Sequence, residues 1–358
     1  MNTFRQFAQH AVSLPATTGW YLADLGEARG KQELYTHQAP QKLKVLREHA
    51  LIESAVSSNR IEGVEIEQSR IGTVIFGQSL LRDRDEEEVR GYRDALRLIH
   101  AQGRELLLDE VTILRLHTLS RGSLGDAGQY KQRDSDIIQR YPDGRSRVRF
   151  KTVPAAATPH ALNELLTEWA ECLTARTIHP LIALAAFNLD FLCIHPFRDG
   201  NGRVSRLLLL LQSYQLGYEV GRYISLERLT EQHKERYYET LELSSQGWHE
   251  ARHDPWPYIN FVLYILKLAS QEFEQRVGQT ASPRGSKSEL ITAAIAASPA
   301  SITLQDLLKA CPGASPDLIR KTLSKLQRAG ELECQGRGPG AIWKKKENSP
   351  KRGKKSGN

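Results

Sequence analysis

The segment from Ile194 to Arg206, IHPFRDGNGRVSR, holds a histidine, a carboxylate, a Gly-Asn-Gly turn and two arginines three residues apart. Gly200, Asn201 and Gly202 fall where the apolar run LIALAAFNLDFLC ends and a second helical pattern begins near Arg203, so their backbone N–H groups gather at a helix N-terminus. Such a terminus is an anion site, because glycine lets a ligand approach the main chain and the helix dipole favours negative charge. Arg203 and Arg206 share a helix face and can both reach a polyphosphate. Asp199 is the natural ligand for a magnesium ion bridging phosphate oxygens. His195 has an ordinary pKa near 6.5 and can take a proton from an incoming hydroxyl, while Phe197 anchors the loop in a core. Singly, these are a structural His-Pro, a turn and a surface ion pair. Together, eight specified positions arise by chance in about one window in 10^10.

The elements that must position these groups read as mostly helical. Residues 41–62, QKLKVLREHALIESAVSSNRIE, carry apolar side chains at helical spacing, and EEEVRGYRDALRLIHA, LDEVTILRLHTLS, PHALNELLTEWAECLTA and RVSRLLLLLQSYQLG continue that texture. The interruption is SDIIQRYPDGRSRVRF, where IIQ and RVRF flank Pro142-Asp143-Gly144 and predict a β-hairpin. After WPYINFVLYILKLASQEFEQRV comes GQTASPRGSKS, whose composition is that of a linker.

Across His195 to Arg206 the chain resembles the Fic family, whose signature HxFx(D/E)GNGRxxR it matches without departure. The resemblance spans roughly residues 20–275. It implies transfer of AMP from ATP to a Ser, Thr or Tyr hydroxyl of a protein, the chain itself included, with His195 as general base and Asp199 as the Mg2+ ligand. It further implies that Asn201 contacts the α-phosphate, and that the Gly200 and Gly202 backbone with Arg203 and Arg206 cradles the triphosphate. The hairpin resembles the flap that docks an extended protein target. In the related Doc-type kinases a lysine stands at the place of Gly202, so a glycine there implies nucleotidyl transfer rather than phosphorylation. Chemistry agrees, since transfer at phosphorus needs mainly positioning and charge stabilisation.

A second motif lies upstream. In SSNRIEG, Ser58 and Glu62 are four apart, hence on one helical face, with Gly63 just beyond. This resembles the family's (S/T)xxxE(G/N) inhibitory motif, which implies that Glu62 pairs with Arg206 and diverts the γ-phosphate. In some relatives the same glutamate serves the reverse, hydrolytic removal of AMP. KERYYETLELSSQGW resembles the segment flanking adenine, which nominates Tyr237 and Tyr238 as ATP contacts, with Ser245 where some members carry asparagine.

The C-terminal segment has its own pattern. SELITAAIAAS, TLQDLLKACPG and SPDLIRKTLSKLQRAG predict three helices, and ELECQGRGPGAIWKK a two-stranded turn, which together resemble a winged helix-turn-helix. On the third helix Ile319, Leu323 and Leu326 point one way, and Arg320, Lys321, Ser324, Lys325 and Arg328 the other. That face fits a DNA major groove, with Arg337 and the tail on phosphates, or equally a solvated face of a dimerisation or protein-docking module.

Charge and composition bound the rest. Of the net +7, residues 344–358 contribute seven basic and one acidic side chain, residues 281–343 eight basic and five acidic, and residues 1–280 a net −2. A polyanion partner is therefore expected only at the C-terminal end. The longest apolar runs, LIALAAF and LLLLL, fall far short of the roughly 20 residues of a membrane span, and no secretory signal is read at the N-terminus. Four scattered cysteines without a CxxC pair argue against a zinc site and a disulfide framework, and a cytoplasmic location follows.

The expected organisation is a mainly α protein: a helical region over 1–110 carrying the inhibitory helix (about 41–63), a Fic-type core over 111–275 with the flap at about 135–150, a linker over 276–287, a winged helix-turn-helix over 288–345 and a basic disordered tail over 346–358. A homodimer is expected by the resemblance. The alternative to an autoinhibited adenylyltransferase is a DNA-binding regulator whose nucleotide site only senses.

Overall fold

A computed structural model describes residues 1–345 other than 10–11, 39, 78–79, 141–143, 279–285, 299–300, 312–314 and 337–340. Its order is α1 (Asn2–Gln9), α2 (Ala16–Gln38), α3 (Pro40–Ile61), α4 (Ile71–Phe76), α5 (Arg84–Gln102), α6 (Glu110–Arg121), β1 (Ile137–Arg140), β2 (Ser146–Phe150), α7 (Thr158–Ala175), α8 (Pro180–Ile194), α9 (Asn201–Gln215), α10 (Leu226–Gln232), α11 (Lys234–Ser245), α12 (Trp256–Gly278), α13 (Ser286–Ala297), β3 (Ser301–Thr303), α14 (Leu304–Ala310), α15 (Pro316–Arg328), β4 (Leu332–Gln335) and β5 (Ile342–Lys345). The chain divides into two compact units, Met1–Ile66 with Thr73–Gly278, and Gln279–Asn358 with Glu67–Gly72.

The first unit is built around α8. Every residue from Leu181 to Ile194 is buried, as an all-round apolar sequence requires, and α8 packs on α1, α7, α9, α11 and α12. Pro180 at its first position pre-sets the helical φ, and the His179 ring accepts the Leu181 N–H as a cap. Helix α9 leaves the motif loop and packs on α3, α5, α6 and α8. Asp83 and Asp109 cap α5 and α6 by accepting N–H groups from Glu86 and Thr112. Helix α3 lies against α5 and α10. The expected hairpin is present as antiparallel β1 and β2 with Ile138 opposite Val148; its turn residues 141–143 lie outside the described residues.

In the second unit α13, α14 and α15 enclose Ile291, Ile295, Leu307, Ile319, Leu323 and Leu326. The sheet has three antiparallel strands in the order β3, β5, β4, one more than the sequence suggested. Strand β3 is only Ser301–Thr303, and its last residue already begins the next helix: Thr303 and Asp306 exchange a capping box. The expected Gly-Pro-Gly tip with Arg337, most of the linker and the tail beyond 345 lie outside the described residues. Cys172, Cys193 and Cys311 are buried. Among the described residues no helix is long and apolar enough to cross a membrane.

Candidate active site

Helix α8 ends by turning His195 into the left-handed region, φ 54°, before Pro196 blocks any continuation. That conformation costs a non-glycine residue of order 1–3 kcal/mol, so neighbours must hold it. They do. Lys131 donates its backbone N–H to the Pro196 carbonyl at 3.0 Å, and its buried Nζ donates to the Ile194 carbonyl at 3.2 Å and to Thr152 Oγ1 at 2.7 Å. His195 Nδ1 lies 3.3 Å from the Leu192 carbonyl, which can only accept, so the proton sits on Nδ1 and Nε2 is left as the base. Burial pushes the His195 imidazole down to about 4, and it is neutral at physiological pH.

The loop is folded onto its own anchors. Phe197 is fully buried and stacks on His117 with ring centroids 3.8 Å apart. His117, on α6, places Nε2 3.0 Å from the Asp199 carbonyl and accepts the Gly128 N–H on Nδ1 at 2.9 Å. Gly200 adopts φ 82°, and a β-carbon there would press on Arg121 and His117. Helix α9 therefore starts with no side-chain cap, its first turn open to an acceptor from outside.

Three expected cradle members are used differently. Asn201 is buried, accepting the Phe197 N–H at 2.9 Å and donating to the Phe197 carbonyl at 2.8 Å; it clasps the loop instead of facing an α-phosphate. The Gly200 N–H donates to Asp199 Oδ1 at 2.6 Å and is likewise occupied. Arg203 does not share an exposed face with Arg206. It is 1% exposed and pairs with Glu88 of α5 at 2.5 Å and with Asn59 Oδ1 at 3.3 Å, because the i, i+3 offset puts it on the side of α9 that α5 covers. Gly202 remains half-buried at the rim.

Asp199 stays near the surface with its carboxylate 2.7 Å from Arg121 and 3.2 Å from Arg84. Burial would raise its pKa, but Arg121, Arg203 and the Gly200 N–H outweigh that and hold it below its ordinary value. A magnesium ion commonly takes one or two carboxylates and completes its shell with phosphates and waters. A half-exposed, firmly ionised carboxylate beside a helix N-terminus fits that demand, while Arg84, 55% exposed, also pairs with Glu88 at 2.9 Å.

The upstream motif meets this loop. Arg206 donates Nε to Ser58 Oγ at 2.9 Å, Nη2 to the Ser58 carbonyl at 2.9 Å, and Nη2 to Glu62 Oε1 at 2.8 Å. Ser58 and Glu62 thus face one guanidinium, although Glu62 is not inside the helix. Glu62 is the C-cap of α3: the Gly63 N–H returns to Arg60 O and the Val64 N–H to Asn59 O, both at 3.0 Å, which is the Schellman pattern with Gly63 at φ 83°. Gly63 is needed for that turn, and the turn aims the carboxylate. Burial opposes the charge on Arg206, but Glu62 more than offsets it and its pKa is raised.

The two tyrosines separate. Tyr237 is 4% exposed and packs against Phe261 and Tyr258. Tyr238, about 100° further round α11, is at the rim: its hydroxyl donates to the Ile61 carbonyl at 3.2 Å and its ring lies 5.7 Å from the Arg149 guanidinium of the flap. Ser245 is buried and donates to the Glu242 carbonyl. Sequence reasoning missed His117, Arg121, Lys131, Glu88 and Asn59, which hold the loop from other segments. In the second unit Arg320, Lys321, Lys325 and Arg328 do lie together on one open face of α15.

A buried helix delivers a histidine into a loop at the N-terminus of a second buried helix, with a hairpin in the same unit. Residues 107–213 match the Fic/DOC family, and this segment of the chain is a Fic domain. It is 28% identical over 207 residues to protein adenylyltransferase fic-1 of Caenorhabditis elegans, covering 58% of this chain and 36% of that one. It is 24% identical over 229 residues to protein adenylyltransferase Fic of Drosophila willistoni, covering 63% and 42%. The chain thus spans about two fifths of the length of these curated relatives. Among solved structures, a Fic family protein from Desulfovibrio desulfuricans superposes with a TM-score of 0.60 at 24% identity, over 95% of this chain and 99% of that one. A Fic domain containing signaling protein from Bacteroides thetaiotaomicron gives 0.60 at 20% identity, over 72% and 97%. At these identities the likeness is one of fold.

Proposed function

We propose that this chain is an autoinhibited protein adenylyltransferase that moves AMP from ATP to a Ser, Thr or Tyr hydroxyl of a protein. The observation that carries the reading is the 2.8 Å contact between Glu62 and Arg206 at the rim of the α9 N-terminus, beside a neutral His195. The target hydroxyl attacks the α-phosphorus, the bond from that phosphorus to the β-phosphate bridging oxygen breaks, and pyrophosphate leaves. His195 Nε2 accepts the hydroxyl proton. The open N–H groups of the first turn of α9 and the helix dipole stabilise the charge that spreads over the phosphoryl oxygens. Asp199 would hold Mg2+, which supplies charge neutralisation at the phosphates. Glu62 occupies Arg206 and keeps it from the γ-phosphate. The flap supports docking of an extended target, since Ile138 and Val148, paired across the hairpin, are both about half exposed at 53% and 51%.

The test is transfer from ATP labelled at the α-phosphate, onto the enzyme itself or lysate protein, by wild type, Glu62→Gly and Glu62→Gly/His195→Ala. Label confined to Glu62→Gly is the expected result. Label in none of the three, or equal label in all, would sink the reading.

A second reading concerns the C-terminal unit, which we infer to be a winged helix that contacts DNA. Its support is α15, where Ile319, Leu323 and Leu326 are buried and Arg320, Lys321, Lys325 and Arg328 line one shallow surface. DNA binding that weakens steeply with salt and is lost in Lys325→Glu/Arg328→Glu is expected. Binding that ignores both would leave α15 as a protein-docking face.

A further inference from the structure

Beside the candidate site lies a cleft of about 860 Å³, bounded by the loop after α6, the segment leading into β1, and Arg198 with Asp199. Its lining carries five cations, Arg84, Arg121, Lys131, Arg133 and Arg198, against three carboxylates. Two of the three carboxylates are already paired with a cation, and the third, Asp134, keeps its charge. Arg121 holds both Asp126 and Asp199, and Asp134 accepts the Ala155 N–H at 2.7 Å. Arg133 and Arg198, by contrast, are exposed and have no carboxylate partner among the described residues. The cleft therefore presents a surplus of positive charge within a concave wall, where field lines are focused.

The flap fixes which ligand this charge meets. On one side β2 is covered by α11, through the Arg147–Glu242 ion pair and the Arg149–Tyr238 contact. Strand β1 is the outer strand, paired on its other side with nothing among the described residues. It begins at Ile137, two residues after Ser135 at the cleft's edge. An extended segment added along β1 and continued past its start therefore reaches the edge of the cleft.

We propose that this cleft docks an acidic segment of the target protein, with Arg133 and Arg198 as specificity-determining residues that pair with Asp or Glu side chains near the modified hydroxyl. The proposal rests on the reading that the acceptor is a protein. It predicts discrimination by charge: a neutral flank binds weakly and a basic flank is repelled.

The experiment uses the full chain and three fluorescein-labelled peptides, each with one Thr, flanked by Asp/Glu, by Ser/Gln or by Lys/Arg. Anisotropy without nucleotide should show the acidic peptide binding at least tenfold tighter than the neutral one, with that preference fading as salt rises. Arg133→Glu/Arg198→Glu should lose at least tenfold for the acidic peptide, and Arg133→Gln/Arg198→Gln should lose an intermediate amount, which keeps the test open if charge reversal prevents folding. In the Glu62→Gly background the same changes should raise KM for the acidic peptide and leave KM for ATP unchanged. Equal binding of all three peptides, unaltered binding by either double variant, or an effect confined to KM for ATP would overturn the proposal. Acidic-peptide binding with no transfer in any background would uphold the docking cleft and sink the proposed activity instead.

Discussion

Glu62 occupies the space in which a side chain on residue 202 would begin: a β-carbon built on Gly202 meets the Glu62 carboxylate before anything else. Gly202 is the second residue of α9, and alanine is ordinarily the better helix former. Its bareness thus serves the approach of Glu62. Gly202→Ala should displace the Glu62 carboxylate and cost in wild type at most the worth of its bond to Arg206, about 1.5–3 kcal/mol, yet be neutral or stabilising in Glu62→Gly. A denaturation cycle over the four proteins checks this, and additive effects would show that the two positions are not in conflict.

Removing the Glu62 carboxylate should release Arg206 from a charge-assisted bond of about 1.5–3 kcal/mol. At about 1.4 kcal/mol per tenfold, the population with Arg206 available rises roughly 10- to 100-fold, and transfer with it. The rate of label transfer from ATP by Glu62→Gly relative to wild type measures the change directly. A ratio near one would mean that the contact does not gate the site.

His117 makes stability depend on pH. Burial, its largest cause, pushes the ring to about 4, whereas the unfolded side chain titrates near 6.5. Between those values the unfolded chain binds a proton that the folded one excludes, so stability is full above about pH 6.5 and declines as pH falls towards 4. The decline from this group is on the order of 3 kcal/mol. In His117→Gln, which keeps a donor and an acceptor without titrating, the slope of unfolding free energy against pH over that window should drop by about one proton. An unchanged slope would place the lability in other buried histidines such as His253, also near 4.

Lys131 ties the flap to the base. Thr152, which accepts from its Nζ, follows β2 and donates in turn to the Ser135 carbonyl ahead of β1. Lys131→Met should therefore lower kcat of the Glu62→Gly enzyme at least tenfold while KM for ATP stays within about twofold, with a stability loss of about 1–3 kcal/mol from the abandoned carbonyl. Lys131→Arg should restore part of kcat. A loss felt only in KM would show that the lysine does not position His195.

Much of this was legible in the sequence, and the misses share a cause. The α8–loop–α9 motif, the C-terminal Gly63 and the hairpin all have local signatures, because turns, caps and strand alternation are decided by neighbouring residues. What local pattern cannot reveal is which side of a helix another helix will cover. Arg203 and Asn201 carry motif identities, yet α5 and the loop itself turned them inward. Tyr237 and Tyr238 are adjacent in sequence and opposite in fate for the same reason. Glu88 and His117 gave no signal, since one charged or aromatic residue on an amphipathic helix reads as an ordinary surface or core position.

Helix α3 is fastened along its length: Ser54 donates to Glu227 at 2.6 Å, Asn59 accepts from Arg203, and Ser58 accepts from Arg206. Glu62, at the very end, is held through its side chain by Arg206. Opening therefore needs a turn about side-chain bonds and not the microsecond-to-millisecond withdrawal of a helix. A nucleotide or regulator that favours the open arrangement would act without a lag, setting the fraction of time the arginine is free.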